Sequence, residues 1–541
     1  MSLPVPGRRR GVRAGGTAFA AVVLAVGVSA GTASAVGTAS AVGTAGVARV
    51  TSRAVPVTAN PYSPAYRHPY RQGVVPTLSQ ARALVSWERQ HPGPRVASAS
   101  NLLYGGGVRG IGVTTGQQKV YLVFYGSQWG RKGTDGHGNT TLTGDRSGAA
   151  PYLQRLLRGL GTDGETWSGV VTQYCDGVAF TATSCPADSL HIPYPAKDVL
   201  AGLWVDESAA SPRRASGHQL ALEALQAAKH FGNTSARSNR DSQYVILSPA
   251  GTHPDGFNTT NGNFCAWHDW NGDGTLSGGS VASHYGPVAF TNLPYLPDAA
   301  FQCGENFVNS GKAGLLDGVS VVEGHEYAET LTDQLPVGGW LNTRGSEAAD
   351  LCAWSLGHSA DVTMKTGSFA MQPIWSNDAN GGAGSCEISH PTVLNSGIFN
   401  GGFERGTFQG WTTGGAATSL VHAGVHAGRF AARVGLPTPT KGSSSIGQTF
   451  NANGTQLSFW YAENCPDRAA VSWATATLAD NRTHKTVTVL AKTCTRHSGW
   501  KQISATLVAG QSYTLTLTSH DDNDRKARDG AYALLDAVTI H

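Results

Sequence analysis

The sequence predicts an α/β (α+β) N-terminal domain followed by an all-β sandwich, and three observations carry that reading. Apolar runs of strand length alternate with amphipathic helical stretches in the first half, as expected of a sheet covered by helices. From residue 395 onward the helical period disappears, and short segments of alternating polarity are spaced by Gly, Asn and Asp turns. Between the two regimes stands Gly324-His325-Glu326-Tyr327-Ala328-Glu329, a helix-borne H-E-x-x-E site.

The chain divides into four segments. Arg8, Arg9, Arg10 and Arg13 precede an apolar run over 18–28 and the small residues Ala33-Ser34-Ala35, so 1–35 reads as a secretory signal peptide. Cleavage after Ala41 fits equally, because Gly-Thr-Ala-Ser-Ala-Val occurs twice in succession. Residues 36–97 form a leader rich in proline (Pro56, Pro61, Pro64, Pro69, Pro76) with one helix over 78–89, and they read as a linker or a propeptide. Within 98–390, residues 119–126, 199–205 and 243–248 are strands, while 150–160 and 220–230 are helices. A further helix starts near Asp317, which with Gly318 caps its first turn. It aligns Val319, Val322, His325, Glu326 and Glu329 on one face, with Asp333 a turn beyond, and stops at 334–339 where Pro336 and Gly338-Gly339 break it. Residues 395–541 are the sandwich, with alternating strands over 456–461 and 512–518.

His325 and Glu329, at i and i+4, share a helical face, and a carboxylate is an ordinary zinc ligand. Glu326 lies where such motifs place the residue that takes a proton from water, which points to a metal-dependent hydrolase. The arrangement resembles gluzincin metallopeptidases, in which a downstream Glu supplies the third ligand and an Asp after it holds a histidine. That resemblance implies Glu347 as third ligand, with Asp350 as an alternative ligand or a partner of a ligating His. A glycosidase would instead use Glu326 with Glu347, leaving His325 without a role.

Asp269, Asn271 and Asp273, followed by Gly274, match the first half of a calcium loop, although its twelfth position is Ser280 rather than Glu. An Asx-rich turn is the competing reading. His253 and His268 are separate candidates to reach the metal.

Eight cysteines in an exported chain imply disulfides, and their spacing suggests sequential pairs: Cys175 with Cys185, Cys265 with Cys303, Cys352 with Cys386, and Cys465 with Cys494. The precursor carries a net charge of +4, and the four arginines of 1–35 account for it. A mature chain without net charge gives no electrostatic case for nucleic acid, and no later run is apolar enough to span a membrane. An extracellular or wall-associated location follows.

Residues 121–129 (opening Tyr121-Leu122-Val123-Phe124), Phe264-Cys265-Ala266-Trp267-His268, residues 324–333 and Pro373-Ile374-Trp375 resemble actinobacterial secreted proteins of unassigned activity. More distantly they resemble the plant phosphate-induced, exordium-like cell-wall proteins. In the tail, Asn400-Gly401-Gly402-Phe403-Glu404, Gly410-Trp411-Thr412 and residues 531–540 resemble the ends of jelly-roll carbohydrate-binding modules. That resemblance implies sugar stacking on Trp411, Trp460, Tyr461 or Trp500, and a structural calcium ion between Glu404 and Asp536. The expected function is a zinc-dependent, peptidase-like hydrolase acting on extracellular protein or peptide, tethered to polysaccharide or cell wall. The alternative is a non-catalytic carbohydrate- or wall-binding protein on a hydrolase-like scaffold.

Overall fold

The computed structural model describes residues 60–91, 101–186, 189–195, 198–260, 262–393, 397–415, 417–522 and 530–541; the segment read as a signal peptide lies outside them. Aromatic and branched residues fill Lys119–Tyr125, and residues 120–124 are all buried, so this strand is covered on both faces. It is an inner strand of a six-stranded sheet made of β1 (Gln72–Pro76), β2 (Lys119–Tyr125), β3 (Leu200–Asp206), β4 (Ser242–Leu247), β5 (Phe264–Trp270) and β6 (Ala289–Leu293). The spatial order is β1-β5-β6-β4-β2-β3. Strands β6, β4, β2 and β3 run parallel, whereas β5 is antiparallel to β6 and β1 is antiparallel to β5.

The predicted strands and helices recur with ends shifted by a few residues: α1 (Leu78–Gln90), α2 (Ala149–Gly159) and α3 (Gly217–His230). Ser216 and Gln219 close a capping box on α3, and the Asp145 carboxylate accepts the N–H groups of Ala149 and Ala150 at the start of α2. Two elements depart from expectation. Strands β5 and β6 occupy a region to which the sequence assigned no strand, because both are buried on both faces and include His268, Asp269, Thr291 and Asn292, so no polar alternation marks them. Strand β1 comes from the proline-rich leader and yet forms one edge of the main sheet.

Helix α4 (Asp317–Thr332) follows the sheet, and all 16 of its residues are buried. The helix contacts β1, β5 and β6 as well as α2 and the strand Gly367–Met371, so the face with His325, Glu326 and Glu329 is enclosed like every other and the helix has no solvent side. Asp317 does not cap it, since the carboxylate accepts the N–H groups of Val308 (2.8 Å) and Asn309 (2.6 Å) from the preceding loop. Asp333 does not extend a ligand stripe either. It accepts the N–H groups of Val337, Gly338 and Gly339, which folds the chain back after the helix.

All four sequential disulfides are formed. Cys352–Cys386 anchors the segment that follows Glu347 and Asp350. Residues beyond 397 build two five-stranded antiparallel sheets around a separate core that includes Phe403, Phe450, Phe459, Leu515, Leu517 and Leu535. The strands containing both predicted segments, Gln456–Asn464 and Ser512–Asp522, are inner members of the two sheets. No helix among the described residues is long and apolar enough to cross a membrane.

Candidate functional site

The backbone turn at 347–352 and helix α4 assemble one cluster from four sequence positions and add a fifth from the sheet. Oε1 of Glu329 accepts the N–H groups of Ala349 (2.9 Å) and Asp350 (2.7 Å). Its other oxygen, Oε2, stands 3.0 Å from Nε2 of His325 and 3.9 Å from Nε2 of His268. Oε2 of Glu347 is 3.2 Å from the same His268 nitrogen. Asp350 uses Oδ2 to accept the Glu347 N–H at 3.0 Å and turns Oδ1 toward His325 Nε2 at 3.7 Å. Two overlapping donor sets result, His268 with Glu329 and Glu347, and His325 with Glu329 and Asp350, each with ligand atoms within 4.8 Å of one another.

His325 is oriented from behind. Nε2 of Gln372 donates to the Ala349 carbonyl at 2.9 Å, so Oε1 of Gln372 faces the ring and accepts from Nδ1 of His325 at 3.2 Å. Nε2 is thereby left as the free lone-pair nitrogen, as metal-binding imidazoles require. Neither Nε2 of His325 nor Oε2 of Glu329 has a hydrogen-bond partner despite their 3.0 Å separation. The two atoms are near each other without being aimed at each other, and Oε1 of Glu347 is also unpartnered.

The electrostatics agree with that geometry. Burial, then repulsion from Glu329 and its neighbours, pushes the Glu347 carboxyl well above the usual range, and burial with Glu329 nearby raises Asp350 to about 7. Burial lowers His268 to about 4. Burial also works against a charge on His325, but Glu329 at 3.0 Å outweighs it and the pKa rises. Three carboxyl groups and two imidazoles this close, nearly all without water, cannot all adopt their ligand protonation states unless a cation compensates. A donor set of two imidazoles and three carboxylates could hold a divalent transition metal, and zinc is among the ions that such ligands bind.

Glu326 is not among the converging donors. It is fully buried beside His325 in sequence, both its oxygens lack partners, and burial raises its pKa well above the ordinary carboxyl range. His253 is in neither donor set, and its Nδ1 pairs with the Phe257 carbonyl at 3.0 Å. His268 does reach it; the signal was its place in Cys265-Ala266-Trp267-His268, a stretch whose strand character was not recognised. Gln372 carried no sequence signal beyond its position just before Pro373-Ile374-Trp375.

The calcium-loop reading is not supported by how its residues are engaged. The Asn271 amide donates to Val281 and accepts from Val288, and Asp273 accepts the N–H and hydroxyl of Thr275, as an Asx turn does. Asp269 is left fully buried with one oxygen unpartnered, and burial, then Asp273, pushes its pKa well up.

In the sandwich, Trp411 and Tyr461 are core residues, 4% exposed each, so neither is a sugar platform. Both were candidates for sugar stacking because aromatic residues in a short strand look alike whichever face they occupy. Trp460 and Trp500 are half-buried and meet at His426, whose ring stacks on Trp460 (centroids 4.0 Å apart, planes at 16°) and meets Trp500 at 5.6 Å edge-on. Glu404 accepts the N–H groups of Arg429 and Phe430, and Asp536 accepts those of His426 and Ala427, so both acids fasten the loop that carries His426.

No family model matches the chain, and no curated protein matches it. Among solved structures it is similar to the TmCBM61 module in complex with beta-1,4-galactotriose, with 18% identity, a TM-score of 0.21, and coverage of 26% of this chain and 94% of that one. It is similar to Family 16 Carbohydrate Binding Module-2 at 17% identity and TM-score 0.20, covering 26% of this chain and 96% of the other. A CBM22-1 xylan-binding domain from Paenibacillus barcinonensis shows 20% identity and a TM-score of 0.19, over 26% of this chain and 88% of that chain.

Proposed function

We propose that the protein is an extracellular metalloprotein that attaches to polysaccharide or cell wall, with a divalent transition metal held by His268, His325, Glu329 and Glu347 and with Asp350 at the rim. One observation carries the metal reading: the 3.0 Å approach of His325 Nε2 and Glu329 Oε2, neither hydrogen-bonded, in a site closed to solvent. The attachment reading rests on the half-buried cluster of Trp460, His426 and Trp500, aromatic residues of the kind on which pyranose rings stack.

Peptidase-like hydrolysis is the narrower form of this reading. A zinc ion in such a site, when bound, supplies Lewis acidity toward a carbonyl oxygen and toward water. The chain's own contribution is a Glu329 carboxylate fixed by two backbone N–H groups and a His325 ring fixed by Gln372, while Glu326 stands outside both donor sets with its pKa raised by burial. The non-catalytic form is favoured for the chain as it stands, because the main chain of β1 lies across Glu329 and His268.

Metal analysis of the purified protein is the test. About one zinc per chain is expected, falling below about a tenth in His325→Ala and in His268→Ala while the far-ultraviolet spectrum is kept. Absence of stoichiometric metal, or unchanged zinc in His325→Ala, would overturn the assignment.

A further inference from the structure

Strand β1 crosses the proposed metal site with its backbone rather than with a side chain. Gly73 has φ +50°, and a methyl group built there would overlap Oε2 of Glu329 and stand 2.6 Å from Nε2 of His268. Only glycine lets the chain pass this close to both donors. The pairing with β5 is irregular at this point: Gln72 lies opposite His268 and Val75 opposite Ala266, with a register shift between them.

The segment is anchored at its two ends and lies buried along β5 between them. Arg71 is 4% exposed; its Nε is 2.7 Å from the Asp255 carboxylate, and its guanidinium lies 4.6 Å from the Phe264 ring centre. Tyr70 donates to the same carboxylate at 2.9 Å. Beyond Gly73, Val75 is fully buried, and the Pro76 carbonyl accepts from the Trp354 indole at 2.6 Å. Helix α1 adds little grip, since Leu78 is the only buried residue of its 13. Without β1, the edge of the sheet would be β5, which carries His268.

We propose that β5, α4 and the turn at 347–352 form a groove for an extended peptide, for which residues 70–76 are the built-in occupant that keeps the metal site shut. The ligand class is written in the occupant: a strand that adds antiparallel to β5, with glycine over the metal donors, arginine two residues before it in the Asp255 pocket, and a branched aliphatic residue two after it in the core. This rests on the metal reading above. It extends that reading by naming what the site accommodates and what shuts it. An untethered peptide cannot displace an occupant whose local concentration is set by the intact chain, so the wild-type protein neither binds such peptides nor exchanges its metal readily.

The full chain tests this with two variants, Gly73→Val, whose Cβ cannot fit over Glu329, and Arg71→Ala, which removes the anchor and leaves Gly73 in place. In each, removal of zinc by a chelator should be at least about tenfold faster than in wild type, because the closed population has fallen. A fluorescent peptide of residues 68–77 should bind each zinc-loaded variant and not wild type, and the same peptide with alanine for its arginine or valine for its glycine should not bind. Zinc that leaves both variants at the wild-type rate, or the absence of any peptide binding to them, overturns the groove. Loss of the folded far-ultraviolet spectrum in both variants also overturns it, by making residues 70–76 structural. Failure of the metal reading looks different, since wild type would then contain no zinc.

Discussion

Glu329 in the α/β domain and Asp536 in the sandwich are both fully buried carboxylates that accept two successive backbone N–H groups from a distant loop. They differ in the remaining oxygen. Oδ1 of Asp536 accepts a third N–H, from Ala537 at 2.7 Å, whereas Oε2 of Glu329 faces two imidazole nitrogens and bonds to neither. A buried acid whose lone pairs are all matched by donors is a structural clamp. One with an oxygen left over, dry and facing other donors, is a candidate ligand. The same contrast separates Trp411 from Trp460, two tryptophans of one sandwich, one in the core and one on a surface cluster.

Breaking the aromatic half of the comparison has the largest expected effect. Trp411→Ala should cost about 3–5 kcal/mol of sandwich stability, as removal of a core aromatic does. Trp460→Ala should cost less than about 1 kcal/mol yet abolish retention of the full chain on an insoluble polysaccharide. Urea denaturation and a pull-down on cellulose, chitin, xylan and purified cell wall check both; equal destabilisation by the two, or retention unaffected by Trp460→Ala, removes the distinction.

The clamp half is sharper at Asp333, which takes three backbone N–H groups at the end of α4. Asp333→Ala should destabilise the α/β domain by about 2–4 kcal/mol by leaving those donors unmatched, and zinc content per folded chain should remain that of wild type. If zinc is lost in proportion to the clamp, Asp333 belongs to the site rather than to the fold.

A smaller effect is expected away from both. Burial beside Asp206 raises the Glu223 carboxyl from its ordinary 4.5 to about 8. Over that interval the folded chain keeps a proton that the unfolded chain has lost. The stability it contributes is therefore whole below about 4.5 and is lost as pH rises toward 8. Glu223→Gln removes the titrating group, so relative to wild type it should be on the order of 2 kcal/mol more favourable at pH 8 than at pH 5. Denaturant midpoints at the two pH values measure this; a difference that does not change with pH, or one of opposite sign, contradicts it.

Much of the architecture was legible because it depends on local pattern. The apolar run over 119–125 specifies a strand buried on both faces, the Ser216 and Gln219 pair marks where α3 begins, and Pro336 with two glycines marks where α4 has already ended. Sequential cysteine pairing was legible as well, and the bridges are formed as spaced. The helical spacing of His325 and Glu329 placed both on one face, and Glu347 and Asp350, which the gluzincin resemblance implied, lie in the donor groups around them. By contrast, α4 gave no sign of being enclosed on all sides, because its buried glutamates look in sequence like a solvated face.

By itself, then, the amino-acid sequence determined what neighbours along the chain can decide: the alternation of strands and helices, the switch to a sandwich, and a helix bearing His325, Glu326 and Glu329. Only the tertiary structure decided which distant groups complete the site. His268 enters from the sheet, Gln372 orients His325 across 47 residues, and Gly73 arrives from the leader to lie over Glu329. The physical reason is that periodicity records the face a residue occupies on its own element, whereas a donor cluster depends on which elements pack against that face.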